Sequence, residues 1–431
     1  MTETNKSIHL VLSNENLQKL KAYLIATVSP EMQKQADGKQ AGREGVRKLL
    51  LEAYNQTKVE LKPELQEQVV DSALAELVGY GPIEPLLRDG EISEIMVNGA
   101  KNVFVERNGE VIETDIHFDN DEHLLRIIDR IVSPLGRRID ADNPTADARL
   151  PDGSRVNVVI PPVAVDGPTL TIRKFLQTKM TMDDLVRMEE LTPYMAKFLE
   201  ACVGARLNIL VTGNTSSGKT TVLNALSGFI PDKERIVTIE DAVELKLKQR
   251  HVVRLETKLP NVDGTGSVNV RDLVHNALRM RPDRIVVGEV RGGEAMDMLQ
   301  AMNTGHTGSL TTLHANSPRD AVSRLETMAM MAGLDMPLLA IRKQIASAIN
   351  VIVHLARLSD GSRKMTHITE LPGMEGDIVT LTDIFKFEQT GVSPEGKIIG
   401  QLRPTNMRPL FSPRLETAGY KLGGEIFGAG L

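Results

Sequence analysis

Residues 207–230 read LNILVTGNTSSGKTTVLNALSGFI. LNILVTG is a strand candidate, TTVLNALSGFI a helix candidate, and a glycine-rich loop joins them. The loop fits G-x-x-x-x-G-K-[ST], with Gly213, Gly218, Lys219 and Thr220 at the required positions. Glycines let backbone N–H groups curl around phosphate oxygens with no Cβ in the way, and the helix N-terminus adds its positive end. The candidate nucleotide-binding residues are therefore Gly213, Asn214, Thr215, Ser216, Ser217, Gly218, Lys219, Thr220 and Thr221. Lys219 would neutralise the β- and γ-phosphates and the Thr220 hydroxyl would ligate Mg²⁺, so ATP and Mg²⁺ are the expected ligands.

The surroundings carry the pattern further. NILVTG, RIVTIE, DRIVVGE, SLTTLHA and NVIVHLA are short apolar runs separated by helical stretches, which implies a largely parallel sheet covered by helices. From about residue 365 the tail looks like strands appended to that sheet, ending in a frayed terminus. Upstream, Pro63 opens an apolar helical repeat, Leu65, Val69, Val70, Ala73, Leu74 and Leu77. EIMV, NVFVERNGEVIET, RVNVVIPP and PTLTIRKF then read as strands, with Asn108-Gly109 a hairpin turn and DEHLLRIIDRIV a helix. The boundaries expected are a helical, mobile or loosely packed arm over 1–60, an α+β domain over 61–177, a linker over 178–190 and an α/β domain over 191–425.

The whole composition narrows the classes of function. With 51 Lys+Arg against 57 Asp+Glu, the net charge of -6 supplies no global basic field to concentrate nucleic acid or anionic lipid. Aromatics are 3% with no Trp, which disfavours a surface for stacking single-stranded bases. One cysteine, Cys202, builds neither an internal disulfide nor a multi-cysteine metal site and suits a reducing compartment. The first 20 residues lack a basic region followed by an apolar one, and no run approaches the roughly 18 apolar residues of a spanning helix. The chain is expected to stay where it is made.

Three further polar clusters follow the loop. DRIVVGEVRGGEA ends a strand in Glu289, where an acidic group next to a phosphate cradle can hold the Mg²⁺ hydration shell or orient the attacking water. The usual Asp-Glu pair is here Gly288-Glu289. RIVTIEDAVELKL ends another strand with Glu240, Asp241 and Glu244, which are either catalytic or capping acids. TGHTGSLTTLHANS, 304–317, carries His306 and His314; a histidine-only zinc site wants a third ligand that is not evident.

In this order the four clusters closely resemble the Walker A, Asp, Walker B and His boxes of the type II/type IV secretion ATPase superfamily. Upstream, GYGPIEPLL, EIMVNG, DARLPDGSRVNVVIPP and GPTLTIRKF look like the CpaF/TadA branch, which drives Tad (Flp) pilus assembly. The resemblance covers about residues 70 to 415. It implies a C-terminal RecA-like P-loop ATPase domain preceded by a smaller α+β (PAS-like) domain and a helical arm. It also implies a homohexamer, cytoplasmic and peripheral to the inner membrane of a bacterium, that pushes on a membrane platform protein, with no nucleic acid partner. His306 and His314 would sit near the nucleotide or the subunit contact and report its state. Arg149, Arg155 and Arg173 would reach nucleotide phosphates at a domain or subunit boundary. Lys219, Glu289, Glu244 and Glu240 complete the catalytic set, with Thr220 and Glu289 toward the metal and Glu289 ranked before Glu244 as the base.

Two departures sharpen the match. One cysteine cannot build the four-cysteine zinc module usual in the type II secretion branch, and Ala242 stands where other branches often have proline. The other readings are a conjugative secretion-channel ATPase of the same superfamily, a RecA-like nucleic-acid motor, and a chain that binds nucleotide only as an assembly switch.

Overall fold

The computed structural model describes residues 14–35, 42–57, 59–107, 109–135, 138–175, 180–258, 260 and 265–428. Residues 1–13 of the expected arm, Asn108 of the expected hairpin turn, 178–179 of the expected linker and 429–431 of the expected frayed end lie outside the described residues. The chain divides into two compact units, Met1–Gln177 and Thr178–Leu431.

In the first unit, helices α1 (Asn14–Gln35), α2 (Arg43–Gln56) and α3 (Pro63–Val78) pack around Leu24, Val28, Leu50, Tyr54, Val70 and Leu74. The described part of the region expected as a mobile or loosely packed arm, 14–35 and 42–57, is thus built into a core, with Leu24 and Leu50 at 0% exposure. The apolar face of α3, which the periodicity assigns to the following domain, supplies the partner that buries α1 and α2. Glu76 of α3 binds Lys21 of α1 at 2.8 Å and His123 Nε2 at 2.8 Å, joining the bundle to the next helix but one.

After the short helix α4 (Glu84–Arg88) come β1 (Ile92–Asn98), β2 (Asn102–Arg107), β3 (Glu110–Glu113), α5 (Asp121–Val132), β4 (Thr145–Arg149), β5 (Arg155–Val159) and β6 (Thr169–Arg173). The strands form one antiparallel sheet in the order β3-β2-β1-β6-β5-β4. Alternation along β5, β6 and the second half of β1 gives the sheet one apolar face, where Ile95, Val97, Val156, Val158, Leu170 and Ile172 pack with Leu124, Ile127 and Ile128 of α5. Asn120 caps α5, its side chain accepting from the His123 amide at 2.8 Å.

The second unit contains α6 (Met182–Arg187), α7 (Pro193–Gly204), β7 (Ile209–Gly213), α8 (Lys219–Ser227), β8 (Ile236–Glu240), β9 (Val252–Glu256), α9 (Val270–Ala277), β10 (Arg284–Val290) and α10 (Glu294–Asn303). It continues with β11 (Leu310–His314), α11 (Pro318–Met330), α12 (Leu338–Ala348), β12 (Val351–Arg357), β13 (Arg363–Glu370), the two-residue pair β14 (Met374–Glu375) and β15 (Ile378–Val379), β16 (Thr382–Val392), β17 (Ile398–Pro404) and α13 (Ser412–Thr417). Nine strands make one sheet in the order β17-β16-β13-β12-β7-β11-β10-β8-β9. From β12 to β9 all neighbours are parallel, and β13, β16 and β17 are added antiparallel. β7 and β8 are buried along their whole length, as both faces of a helix-covered parallel sheet require.

Within the expected linker, Thr181 caps α6 in a reciprocal box with Asp184, and Met182 and Leu185 are buried in the core of the second unit.

Candidate active site

Parallel strands end at one edge, and the order β7-β11-β10-β8 sets four of those ends side by side. At the end of β7 the loop 214–218 leads into α8. Gly213 has φ +153° and a Cβ there would strike the Leu355 carbonyl of β12, while Gly218, at φ +95°, caps α8. Asn214, Thr215 and Ser216 are exposed and Ser217 is buried; Thr220 and Thr221, half-buried, fill the first turn of α8. Lys219 is 8% exposed, and its Nζ donates to the Asn214 carbonyl at 3.0 Å. The loop is folded back on its own lysine, the geometry that gathers amides and ammonium around a phosphate.

His314 ends β11, directly opposite Gly213. Its Nδ1 lies 2.5 Å from Glu289 Oε1, which assigns the ring proton to Nδ1 and leaves Nε2 to accept from Thr215 Oγ1 at 3.0 Å and Lys219 Nζ at 3.3 Å. Glu289 ends β10. Its other oxygen accepts from Arg291 Nε at 2.8 Å and Nη2 at 2.5 Å, and Arg291 Nη1 reaches Asp241 Oδ2 at 3.2 Å beyond β8. Burial alone would raise the Glu289 carboxyl, but the hydrogen bonds from His314 and Arg291 outweigh it and hold Glu289 below its ordinary value. One chain of polar contacts thus runs Lys219–His314–Glu289–Arg291–Asp241 across four adjacent strand ends.

Two acids of the expected set remain: Glu244, half-buried on the turn after β8, and Glu240 at the end of that strand. Glu240 is 3% exposed and turns inward: Oε2 accepts from the amides of Glu244 at 2.7 Å and Leu245 at 3.0 Å. Burial pushes its carboxyl up to about 7, against those two bonds and with repulsion from Glu244 and Glu256 adding to the rise. Glu240 thus caps the turn that carries Asp241 and Glu244. It also explains Gly288, because a Cβ at that position would lie 2.9 Å from Glu240 Cγ. The aspartate usual before Glu289 has no room beside this glutamate.

His306 is not brought to the phosphate loop. It lies before the start of β11, at the opposite end of the strand from His314, where Ser309 Oγ donates to its carbonyl at 2.8 Å. Gly308, two residues on, serves a buried anchor. Arg284, 0% exposed, pairs with Glu234 at 2.5 Å and donates to the Gly308 carbonyl at 3.1 Å, leaving no space for a Cβ on Gly308. Asn208 Oδ1 accepts from the Gly308 and Ser309 amides at 2.8 and 3.1 Å.

The three arginines of the first unit do come together. Arg149 is paired with Arg155 and Arg155 with Arg173, so they form one row on β4, β5 and β6, with Glu94 of β1 next to Arg173. Cross-strand partners share a face, here the one opposite Val156 and Ile172.

Among the described residues no group of three or more His, Cys, Asp or Glu could hold a metal by itself. Thr220 and Glu289, the two residues expected toward Mg²⁺, carry oxygen donors of the kind that ion takes; it binds through one or two carboxylates and completes its shell with water and substrate phosphates. The family model described as type II/IV secretion system protein matches residues 76–392. This chain belongs to the type II/IV secretion system protein family. A Mycobacterium tuberculosis relative, whose name assigns it provisionally to conjugal transfer, is 38% identical over 71% of this chain and 88% of its own. The type IV secretion system protein PtlH of Bordetella pertussis is 36% identical over 65% of this chain and 91% of its own. Among solved structures, the VirB11 ATPase of the Brucella suis type IV secretion system is 30% identical over 68% of this chain and 96% of that one, with a TM-score of 0.38. Among the described residues no helix is long and apolar enough to cross a membrane.

In this secretion-family chain three residues escaped sequence reasoning. Arg291 stands two positions after Glu289, and the signal for it was a cation following a strand-end acid. His354 lies in the apolar run NVIVHLA, is 5% exposed, and meets Thr212 Oγ1 at 2.8 Å behind the loop. Burial, with His367 adding to it, lowers the His354 ring to about 4, so it buttresses β7 as a neutral group at pH 7. Arg363 reaches Ser216 from 147 residues away, and nothing local announces it.

Proposed function

We propose that this chain is an ATP-hydrolysing motor for Tad/type IV-like pilus assembly or secretion, working as a homohexamer at the cytoplasmic face of a bacterial inner membrane against a platform protein. The observation that carries the ATPase reading is the contact chain from Lys219 to Asp241, which joins a phosphate cradle to two carboxylate-bearing strand ends. The family match and its secretion relatives support the motor reading; the Tad assignment rests on the upstream motifs.

In this reading Lys219 leaves the Asn214 carbonyl and His314 for the β- and γ-phosphates. His314, losing one partner, reports that occupancy to Glu289. Thr220 and, by way of water, Glu289 would hold Mg²⁺, which would supply charge neutralisation at the phosphates. Glu289 and Glu244 orient the attacking water, and the low position of the Glu289 carboxyl suits it to hold that water more than to keep its proton. We assign the row Arg149, Arg155 and Arg173 to nucleotide phosphates at a domain or subunit boundary, since the planar guanidinium fork is the side chain that grips phosphate and transition-state charge. His306, remote from the loop, is left to the subunit contact.

The second reading, a conjugative secretion-channel ATPase, is favoured by the Mycobacterium relative. Deleting the gene in its own host distinguishes them: the pilus reading expects loss of surface pili with normal plasmid transfer, and the reverse pattern would replace it with the conjugative one.

A further inference from the structure

Two strands outside the phosphate-loop motif hold that loop from behind and from the side. β12 runs parallel to β7 with Leu355 opposite Gly213, and β13 turns back antiparallel to β12. The turn between them is firmly built. The Leu358 amide donates to the Ser362 carbonyl at 2.7 Å. Asp360 accepts from the Ser362 amide at 3.0 Å and hydroxyl at 2.6 Å, and from the Ile398 amide of β17 at 2.8 Å.

This turn delivers Arg363, the first residue of β13, to the loop. Its Nε donates to the Ser216 carbonyl at 3.0 Å, and its Cδ lies 3.5 Å from where a Cβ on Gly218 would be. Ser216 is the one non-glycine residue of the loop with a left-handed backbone, at φ +60°. That conformation is sparsely populated for an L residue and persists only when its surroundings hold it. The next two residues fix the strand itself: Lys364 Nζ donates to the Glu189 carbonyl at 2.7 Å and the Met365 amide to the Glu190 carbonyl at 2.8 Å.

We propose that Arg363 is a positioning residue for nucleotide binding: by holding the Ser216 carbonyl outward it sets the loop amides for phosphate before the ligand arrives. The proposal rests on the reading of 213–221 as a phosphate loop. A guanidinium on the carbonyl side acts on the loop and not on any one phosphate, so its loss weakens ATP and ADP alike. Such uniform binding raises KM and leaves kcat in place.

The test measures Kd for ADP and for a non-hydrolysable ATP analogue by calorimetry, together with KM and kcat, on the full chain. The variants are Arg363→Ala, Arg363→Lys and Lys219→Ala, with thermal midpoints as a fold check. Arg363→Ala is expected to weaken both nucleotides by the same factor, about tenfold for one charge-assisted hydrogen bond. KM rises in parallel, kcat stays within about twofold, and Arg363→Lys, which keeps a charged donor, recovers part of the affinity. Unchanged affinities overturn the proposal, and so does a loss confined to the ATP analogue, which would mark a γ-phosphate contact. If Arg363→Ala does not fold, Arg363→Met keeps the stem packing and carries the same comparison. If the wild type binds neither nucleotide, or Lys219→Ala binds like wild type, the phosphate-loop reading itself has failed.

Discussion

Glu240 makes stability fall with rising pH, and Glu240→Gln removes that dependence. Its carboxyl is 3% exposed and pushed from an ordinary 4.5 to about 7, first by burial. Below about pH 4.5 the group is protonated in both folded and unfolded chains, and no penalty arises. Between that value and about 7 the unfolded chain releases the proton while the folded chain keeps it, so stability declines as pH rises. Above 7 the full difference applies, about 3 kcal/mol at 1.36 kcal/mol per pH unit. For a unit of this size, that is a fall of about 6–12 °C in thermal midpoint. A glutamine keeps an oxygen to accept from the Glu244 and Leu245 amides and has no charge to bury. Differential scanning fluorimetry of the full chain from about pH 5 to 8.5 should therefore show a steeper decline for wild type than for Glu240→Gln. Parallel curves would refute the argument.

Four other substitutions on this sheet have definite outcomes. Arg291→Ala strips Glu289 of two hydrogen bonds and its nearest cation, so burial raises the carboxyl and the acid limb of the kcat–pH profile moves to higher pH; an unmoved limb would mean that Glu289 does not titrate in turnover. His314→Ala removes the contacts to Thr215, Lys219 and Glu289 together and lowers kcat by about 10- to 100-fold. His306→Ala leaves nucleotide affinity, read by calorimetry, unchanged, and an affinity loss there as large as that of His314→Ala would contradict the separation of the two histidines. Gly288→Ala presses on Glu240 and destabilises by about 1–3 kcal/mol; in a double-mutant cycle the effect should vanish in a Glu240→Ala background.

The phosphate loop was legible because strand, glycines, lysine and helix are contiguous, so local chemistry and local structure coincide in one stretch. The five parallel-strand candidates were legible as apolar runs between helical patterns, and all five are parallel members of one sheet. Their order was not, because it depends on pairings between residues far apart in sequence, and only that order makes His314, Glu289 and Asp241 neighbours. The same limit hid Arg363. The helical bundle was read as a loose arm because its apolar positions are sparse and glycine-interrupted, and its core closes only when α3 is shared. Gly288 shows a subtler case: a residue that looks like a missing aspartate in sequence is a space required by the buried Glu240.

The central claim is a hydrolytic site completed by assembly, and ATP turnover measured against protein concentration, with light scattering for mass, tests it most directly. Wild type, Lys219→Ala, Glu289→Gln and Arg155→Ala form the set. The account predicts that turnover per chain rises as the protein assembles and that all three variants lose it. Turnover independent of assembly, with loss in Lys219→Ala alone, would contradict it and place the whole active site within one chain.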